Sequence, residues 1–308
     1  MPKICITPRS LSKPPHPYLS RLEEAGFRLV FPTPGRQPNE EELLQTVPEC
    51  IGWLAGVEPI TAKVLEASHD LKVISRNGTG VDNIDLAAAE RLGIKVLKAE
   101  GANARGAAEL TFALILAGVR HIVQAASSLK RREWQREMGY ELYGKTLGLI
   151  GLGRVGRIVA EIALGFGMEV LVFTRTHDEK YAHGKALRYV ELDELLRNSD
   201  IISLHIPALA GGPLLEAEAF AKMKRGVVIV NTARASLIDS QAALQALASG
   251  QVSCLTLDAY SKEPPEEWEL VTHPRVIATP HIGAYTKESI DRATQAAVDN
   301  LLAFLGKG

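Results

Sequence analysis

An α/β fold built from two parallel sheets is what this sequence predicts, and three observations lead there. Short runs rich in β-branched residues alternate with helical patterns along most of the chain, which is the signature of βαβ units rather than hairpins. The length, 308 residues, suits two domains at roughly 150 residues each. A glycine turn, Gly151-Leu152-Gly153-Arg154-Val155-Gly156, opens a second strand–helix series near the middle of the chain.

In the first series, residues 3–7, 27–31, 51–55, 72–75 and 94–97 read as strands, with helices at 18–25, 40–46, 61–67 and 86–92 between them. Pro14, Pro15, Pro17, Pro32, Pro34 and Pro38 fall in the connections, where a missing N–H costs little. The alanine-rich, aliphatic stretch from about 103 to 130 is too long for a crossover and reads as one continuous helix bridging into the second unit. Residues 134–143 read as a loop. The second series starts with a strand at 146–150, the turn at 151–156 and a helix at 157–166. Strands at 168–174, 200–206, 227–231, 253–258 and 276–279 follow, separated by helices at 192–198, 217–223 and 240–249. A last helix, 287–305, returns the chain to the first unit. The expected division is 1–100 plus 285–308 for one domain and 101–284 for the other.

Composition excludes several classes. Lys and Arg number 35 against 36 Asp and Glu, a net charge of −1, without the basic excess of a general nucleic-acid binder. No long like-charge block suggests a disordered tail. Cys5, Cys50 and Cys254 are far apart, so neither a disulfide framework nor a metal site is expected. The apolar stretch 107–119 contains Glu109 and Thr111 and is shorter than the ~20 residues that span a bilayer. The N-terminus lacks the apolar region of a secretion signal. A cytoplasmic protein with no membrane or nucleic-acid partner is the expectation.

The glycine turn carries the first chemistry. Between an apolar strand and a helix, Gly151 makes the tight turn, Gly153 admits a diphosphate to the backbone, and Gly156 lets helix and strand pack closely. The anion would sit at the helix N-terminus. The next strand ends Val172-Phe173-Thr174-Arg175-Thr176, without the carboxylate that usually bonds the ribose 2′-OH of NAD. An Arg between two hydroxyls suits a 2′-phosphate instead, which favours NADP(H). The alternative is NAD, with Arg175 stacked on adenine and Asp178 or Glu179 on the ribose.

Three later strands end in polar segments: Asn231-Thr232-Ala233-Arg234, Asp258-Ala259-Tyr260-Ser261-Lys262-Glu263-Pro264 and Thr279-Pro280-His281-Ile282-Gly283. Ligands of open parallel sheets bind beyond the carboxyl ends of the strands. Singly, Arg234 reads as a surface ion-pair partner, Glu263 as a helix cap and His281 as a structural histidine. Together, downstream of a dinucleotide turn, they suit hydride transfer.

These segments, with residues 76–85, 103–111, 144–156, 257–265 and 279–286, closely resemble the D-isomer-specific 2-hydroxyacid dehydrogenases over nearly the whole chain. Within that family the resemblance is nearest to short D-3-phosphoglycerate dehydrogenases. It implies two Rossmann-like or flavodoxin-like parallel-sheet domains with a substrate cleft between them, a homodimer built through residues 103–143, and a small 2-hydroxy or 2-keto acid as substrate. His281 would be the acid/base, Glu263 its carboxylate partner, and Arg234 the group that binds the substrate carboxylate. The implied cofactor contacts are Gly151, Gly153, Arg154, Val155 and Gly156; Thr174, Arg175 and Thr176; and His205, Pro207, Thr232, Ala233, Asp258, His281 and Gly283, with Asp258 on the nicotinamide amide. The implied substrate contacts are Arg76, Asn77, Gly78, Thr79, Asn103, Arg234 and His281, with backbone N–H groups of Gly78 and Thr79 on the carboxylate and Arg76 on a substrate phosphate. Without the resemblance, Arg76 reads as an ordinary exposed arginine.

The chain departs from the family pattern at Ala235-Ser236, where Gly is common, and at Ala208-Leu209-Ala210-Gly211-Gly212, where Leu-Thr is usual. Residues 100–105 keep Asn103 but place Arg105 near it. The chain's end at Gly308 leads to the expectation of no C-terminal regulatory domain. Glyoxylate or hydroxypyruvate reduction is the alternative reaction. A non-enzymatic alternative is an NAD(H)-sensing protein of the corepressor kind.

Overall fold

A computed structural model of the chain describes residues 1–11 and 16–306; Pro14 and Pro15 lie outside them. The chain divides into two compact units, Met1–Asn103 with Thr286–Gly308, and Ala104–Tyr285. The breaks therefore fall at 103/104 and 285/286 rather than at 100/101 and 284/285.

The first unit is a five-stranded parallel sheet of β1 (Lys3–Ile6), β2 (Arg28–Val30), β3 (Cys50–Ala55), β4 (Val73–Arg76) and β5 (Lys95–Lys98), in the order β2-β1-β3-β4-β5. That is the flavodoxin-like order. Side chains alternate between two buried faces, as a covered parallel sheet requires. Cys5, Trp53 and Ile74 pack on one side, and Ile4, Leu54 and Val73 on the other. Side-chain caps start the short helices α1 to α4 (Ser20–Glu24, Glu40–Thr46, Ala62–Glu66 and Leu86–Arg91) at three of their four N-termini. Asn39 closes a capping box with Glu42, and Thr61 and Asp85 each accept an N–H of the first turn. Such caps are worth about 1 kcal/mol each. The C-terminal helix, Lys287–Leu305, lays Ala297, Val298 and Leu301 on the second face.

The second unit begins with α5 (Ala104–Val119) and α6 (Ile122–Lys130), which meet at 66°. The continuous helix expected over 103–130 is thus broken. The Val119 carbonyl accepts the N–H of Tyr140 at 3.3 Å, and His121 takes a left-handed φ of 51°. The returning segment 139–140 occupies the place where the next turn's donor would come. Among the described residues no single helix is long and apolar enough to cross a membrane; the bent pair has the length and composition, but α5 is largely buried in its own unit.

Seven parallel strands follow: β6 (Thr146–Ile150), β7 (Glu169–Phe173), β8 (Leu187–Tyr189), β9 (Ile201–Leu204), β10 (Val227–Asn231), β11 (Val252–Leu257) and β12 (Val276–Ala278), in the order β12-β11-β10-β9-β6-β7-β8. The strand order reverses between β6 and β9, the point where doubly wound sheets open a crevice at their carboxyl ends. The edge strand β8 is absent from the sequence reading because its three residues place exposed Arg188 between Leu187 and Tyr189. The helix after the glycine turn, α7 (Arg154–Gly165), starts three residues earlier than expected. Gly156 therefore lies inside the helix rather than in the turn.

Candidate active site

The turn between β6 and α7 has the shape a diphosphate needs. Gly151 has φ 98°, and a Cβ there would come within 2.6 Å of the His205 carbonyl oxygen and of Ile206. Gly156 has no room for a side chain, because a Cβ would strike the Gly151 carbonyl oxygen. Gly153 differs from both: it is exposed, extended at the helix N-cap, and nothing stands within 4 Å of its missing Cβ. Two glycines are needed by the protein's own packing, and the third leaves open space in front of the first turn of α7. The partial positive charge of that turn favours an anion there. The residues present therefore fit a dinucleotide.

Beyond β7, Arg175 and Thr176 are exposed and Thr174 is partly buried. Asp178 is engaged within the protein. One oxygen accepts the Tyr181 N–H as the cap of a short helix, and the other pairs with Arg157 at 2.8 Å. The guanidinium beside it holds its carboxyl below the usual range. His205, at the end of β9, meets the Ser203 hydroxyl at 2.8 Å, and burial pushes its imidazole down to about 4. It is a neutral wall. Pro207 is exposed two residues on.

The three polar segments expected at strand ends follow β10, β11 and β12, which are neighbours in one parallel sheet and so end on one edge. His281 Nδ1 lies 2.6 Å from Glu263 Oε1. The carboxylate raises the imidazole above its ordinary value, and the imidazole lowers Glu263; each charged form stabilises the other. With Nδ1 turned to Glu263, Nε2 is the nitrogen left for proton transfer. His281 has φ 52°, a conformation that non-glycine residues rarely adopt.

What holds that conformation is Asp258, 2% exposed at the end of β11. One of its oxygens accepts the Ile282 N–H at 2.8 Å and the Thr279 hydroxyl at 2.6 Å, and the other accepts the Gly283 N–H at 2.8 Å. Its carboxylate is the peg around which the 279–283 turn is wound. Gly283 is required by that wrap, since a Cβ would stand 3.0 Å from Asp258 and 3.5 Å from Ala107.

Arg234 is set by Asn231, whose fully buried amide donates to the Arg234 carbonyl at 2.8 Å and accepts the Ala233 N–H at 3.0 Å. Thr232 shares a hydroxyl–hydroxyl bond of 2.8 Å with Thr111 of α5. The charge of Arg234 reaches the His281–Glu263 pair, lowering both.

In the first unit, the loop after β4 is more internal than expected. Arg76 is 9% exposed, not an open surface arginine. Its Nη1 donates to the Asn77 carbonyl at 2.7 Å, and its guanidinium lies against Gly78, where a Cβ would meet Nη1 at 2.8 Å. The Gly78 N–H is directed to the Arg76 carbonyl at 2.8 Å. As it stands, this closes a tight turn and removes Gly78 from the donors expected for a substrate carboxylate. Thr79 and Asn103 approach each other at 3.4 Å.

Sequence reasoning missed Glu58, 1% exposed, which accepts the Gly56 N–H at 2.9 Å and a hydroxyl hydrogen bond from Thr7, and whose carboxyl burial raises. The opposing charge of Arg76 reaches it. Nothing in the local sequence marks Glu58, because only the packing of three separate strand ends buries it. Asn231 and Thr279 lay inside the quoted motifs without a role. Among the described residues no group of three His, Cys, Asp or Glu side chains has the arrangement of a metal site.

Residues 112–283 match the family described as D-isomer specific 2-hydroxyacid dehydrogenase, NAD binding domain. A hydroxypyruvate reductase of Thermotoga maritima is 41% identical over 274 residues, covering 87% of this chain and 89% of that protein. A D-3-phosphoglycerate dehydrogenase of Bacillus subtilis is 42% identical over 248 residues, 80% of this chain and 47% of that one; the chain spans about half the length of that relative. A solved glyoxylate reductase from Paecilomyes thermophila superposes with a TM-score of 0.85 at 30% identity, covering 100% of this chain and 96% of that one.

Proposed function

The chain belongs to the D-isomer specific 2-hydroxyacid dehydrogenase family, and from that premise we propose that it reduces small, unphosphorylated 2-keto acids reversibly, with NADP(H) as the preferred cofactor. The observation that carries the reaction type is the His281–Glu263 pair at 2.6 Å, with Arg234 ending the second strand from it in the sheet.

Gly153 and the first turn of α7, with Arg154, Val155 and Gly156, would hold the diphosphate. Thr174, Arg175 and Thr176 would take the 2′-phosphate; the engagement of Asp178 with Arg157 and with the N-terminus of its helix supports that reading over a ribose contact from Asp178. His205, Pro207, Thr232, Ala233, Asp258 and Gly283 would line the rest. The bound nicotinamide would supply or accept the hydride at C2 of the acid.

His281 gives a proton from Nε2 to the carbonyl oxygen in reduction and takes it back in oxidation. Glu263 fixes the ring and stabilises the imidazolium. The planar fork of Arg234 binds the carboxylate, and its charge polarises the adjacent carbonyl. Asn77, Thr79 and Asn103 are the further substrate contacts assigned on the first unit. Arg76, internal and turned onto Asn77 and Gly78, supports that loop in place of a substrate phosphate.

Steady-state assays with glyoxylate, hydroxypyruvate, pyruvate and 3-phosphohydroxypyruvate, each with NADH and NADPH, test this reading. Hydroxypyruvate or glyoxylate with NADPH should give the highest kcat/KM. No turnover with any acid would remove the enzyme assignment, a preference for the phosphorylated acid would overturn the role of Arg76, and equal or better kcat/KM with NADH would overturn the cofactor preference. A cofactor-sensing protein without turnover would leave the Arg234, Glu263 and His281 set without work.

We also assign a homodimer in the cytoplasm, where the three buried thiols stay reduced. Ile122, Leu129, Trp134, Met138 and Tyr143 are exposed within a single segment, Trp134 at 80% and Met138 at 96%. Large apolar side chains left exposed along one segment support an interface there. Sedimentation should show a dimer for the native chain and a monomer for the Trp134→Ser/Met138→Ser variant; a monomeric native chain would refute the assignment.

A further inference from the structure

We propose that Tyr260 is a positioning residue that sets the imidazole of His281 against the Glu263 carboxylate, through the hydrogen bond its phenol donates to the Thr279 carbonyl. The proposal rests on the reading of His281 as the acid/base.

The geometry is specific. Tyr260 Oη donates to the Thr279 carbonyl oxygen at 2.8 Å, and the same oxygen accepts the His281 N–H at 2.9 Å. On the other side of His281, Ile282 and Gly283 are held by Asp258. The left-handed residue is therefore clamped from both sides, and both clamps come from one segment, 258–260. Three residues on, that segment delivers Glu263. One half of the pair is joined to the segment covalently and the other half is tied to it by Asp258 and Tyr260.

Without the phenol, the Thr279–Pro280 peptide that leads into His281 loses its support on that side. Asp258 still anchors the turn, so the turn survives while the aim of the ring relaxes. The ring of Tyr260 has its own seat, lining a cavity of about 110 Å³ with Ile238, Leu257, Leu270 and Val271. Tyr260→Phe leaves this packing and removes only the hydroxyl. Burial, with the charges of Asp258 and Glu263 nearby, pushes the phenol up to about 12, so it remains a donor throughout the working range of pH. The charged groups that act on His281 are Glu263, Asp258 and Arg234, and Tyr260→Phe leaves all three in place.

The test is Tyr260→Phe in the full chain, with three readouts. The His281 imidazole, followed by its carbon-13 resonance in the free enzyme, should titrate at lower pH than in the native chain. The alkaline limb of kcat/KM for keto-acid reduction should move the same way. At neutral pH kcat should fall about three- to thirtyfold, less than the ~10²-fold that an ångström of misplacement can cost, with cofactor dissociation constant and KM unchanged. An unchanged His281 titration would overturn the proposal whatever the activity did. A loss of cofactor binding in parallel with kcat would overturn it in favour of a general structural role. Because the resonance reports on the ring without turnover, failure of the acid/base reading would show separately, as activity retained by a variant lacking His281.

Discussion

His281→Asn will lower kcat for keto-acid reduction by about 10²–10⁴-fold, the range that a positioned acid/base contributes, while reduced cofactor still binds with near-native affinity. Asparagine is the informative substitution because His281 sits at φ 52°, and Asn is among the few side chains that tolerate the left-handed region. The turn around Asp258 should therefore persist, so the loss reports on the proton. Rapid-mixing turnover and the fluorescence of bound reduced cofactor measure the two quantities; retained kcat would remove the assigned role.

The direction of the pH dependence follows from the same pair. The Glu263 carboxylate raises the His281 pKa above its ordinary 6.5. Reduction needs the imidazolium, so kcat/KM in that direction should be level below the raised pKa and fall as pH rises through it. Oxidation needs the neutral ring and should rise over the same interval. Replacing Glu263 with Gln removes the charge that favours the imidazolium, so both limbs should move to lower pH. A limb that stays in place would mean that another group titrates.

The second large effect separates two glycines of one motif. Gly153→Val should abolish cofactor binding and turnover with little change in melting temperature, because the space before its Cβ is open and only an incoming diphosphate would occupy it. Gly156→Val should lower stability first, because its Cβ would strike the Gly151 carbonyl and press toward Leu149 of β6. Overpacking of that kind costs about 3 kcal/mol, or on the order of 6–12 °C in a unit of this size. Calorimetry and cofactor titration of the two variants decide it. Equal destabilisation by both would show that Gly153 is needed for the fold and not for the ligand.

How much of this was legible in the sequence depended on where the determining contact lies. The parallel strands could be read because covered strands carry apolar residues on both faces, as Val227 to Val230 do, and that pattern is local. The segments holding Arg234, Glu263 and His281 could be read because strand ends gather chemistry in parallel sheets, whereas the pairing of Glu263 with His281, 2.6 Å apart across 18 residues, came only from the family resemblance, since no local pattern carries it. The break at His121 was hidden: no proline stands there, Gly118 sits inside the last turn of α5 where it reads as an ordinary helical glycine, and a segment some 20 residues downstream decides it. Arg76 and Glu58 were hidden for a related reason. A charged residue on a loop reads as solvated, and only the assembled strand ends β1, β3 and β4 turn these two inward.

The C-terminal helix covers a sheet whose strands lie at the other end of the chain, with the whole second unit between them. During synthesis, Ile4, Leu54 and Val73 must wait for Ala297, Val298 and Leu301, while the dinucleotide-binding unit has all its strands and can fold ahead. The first unit would then wait with one greasy side of its sheet covered only by Leu11, Leu19, Leu22 and Phe27, open to chaperones until that helix joins it.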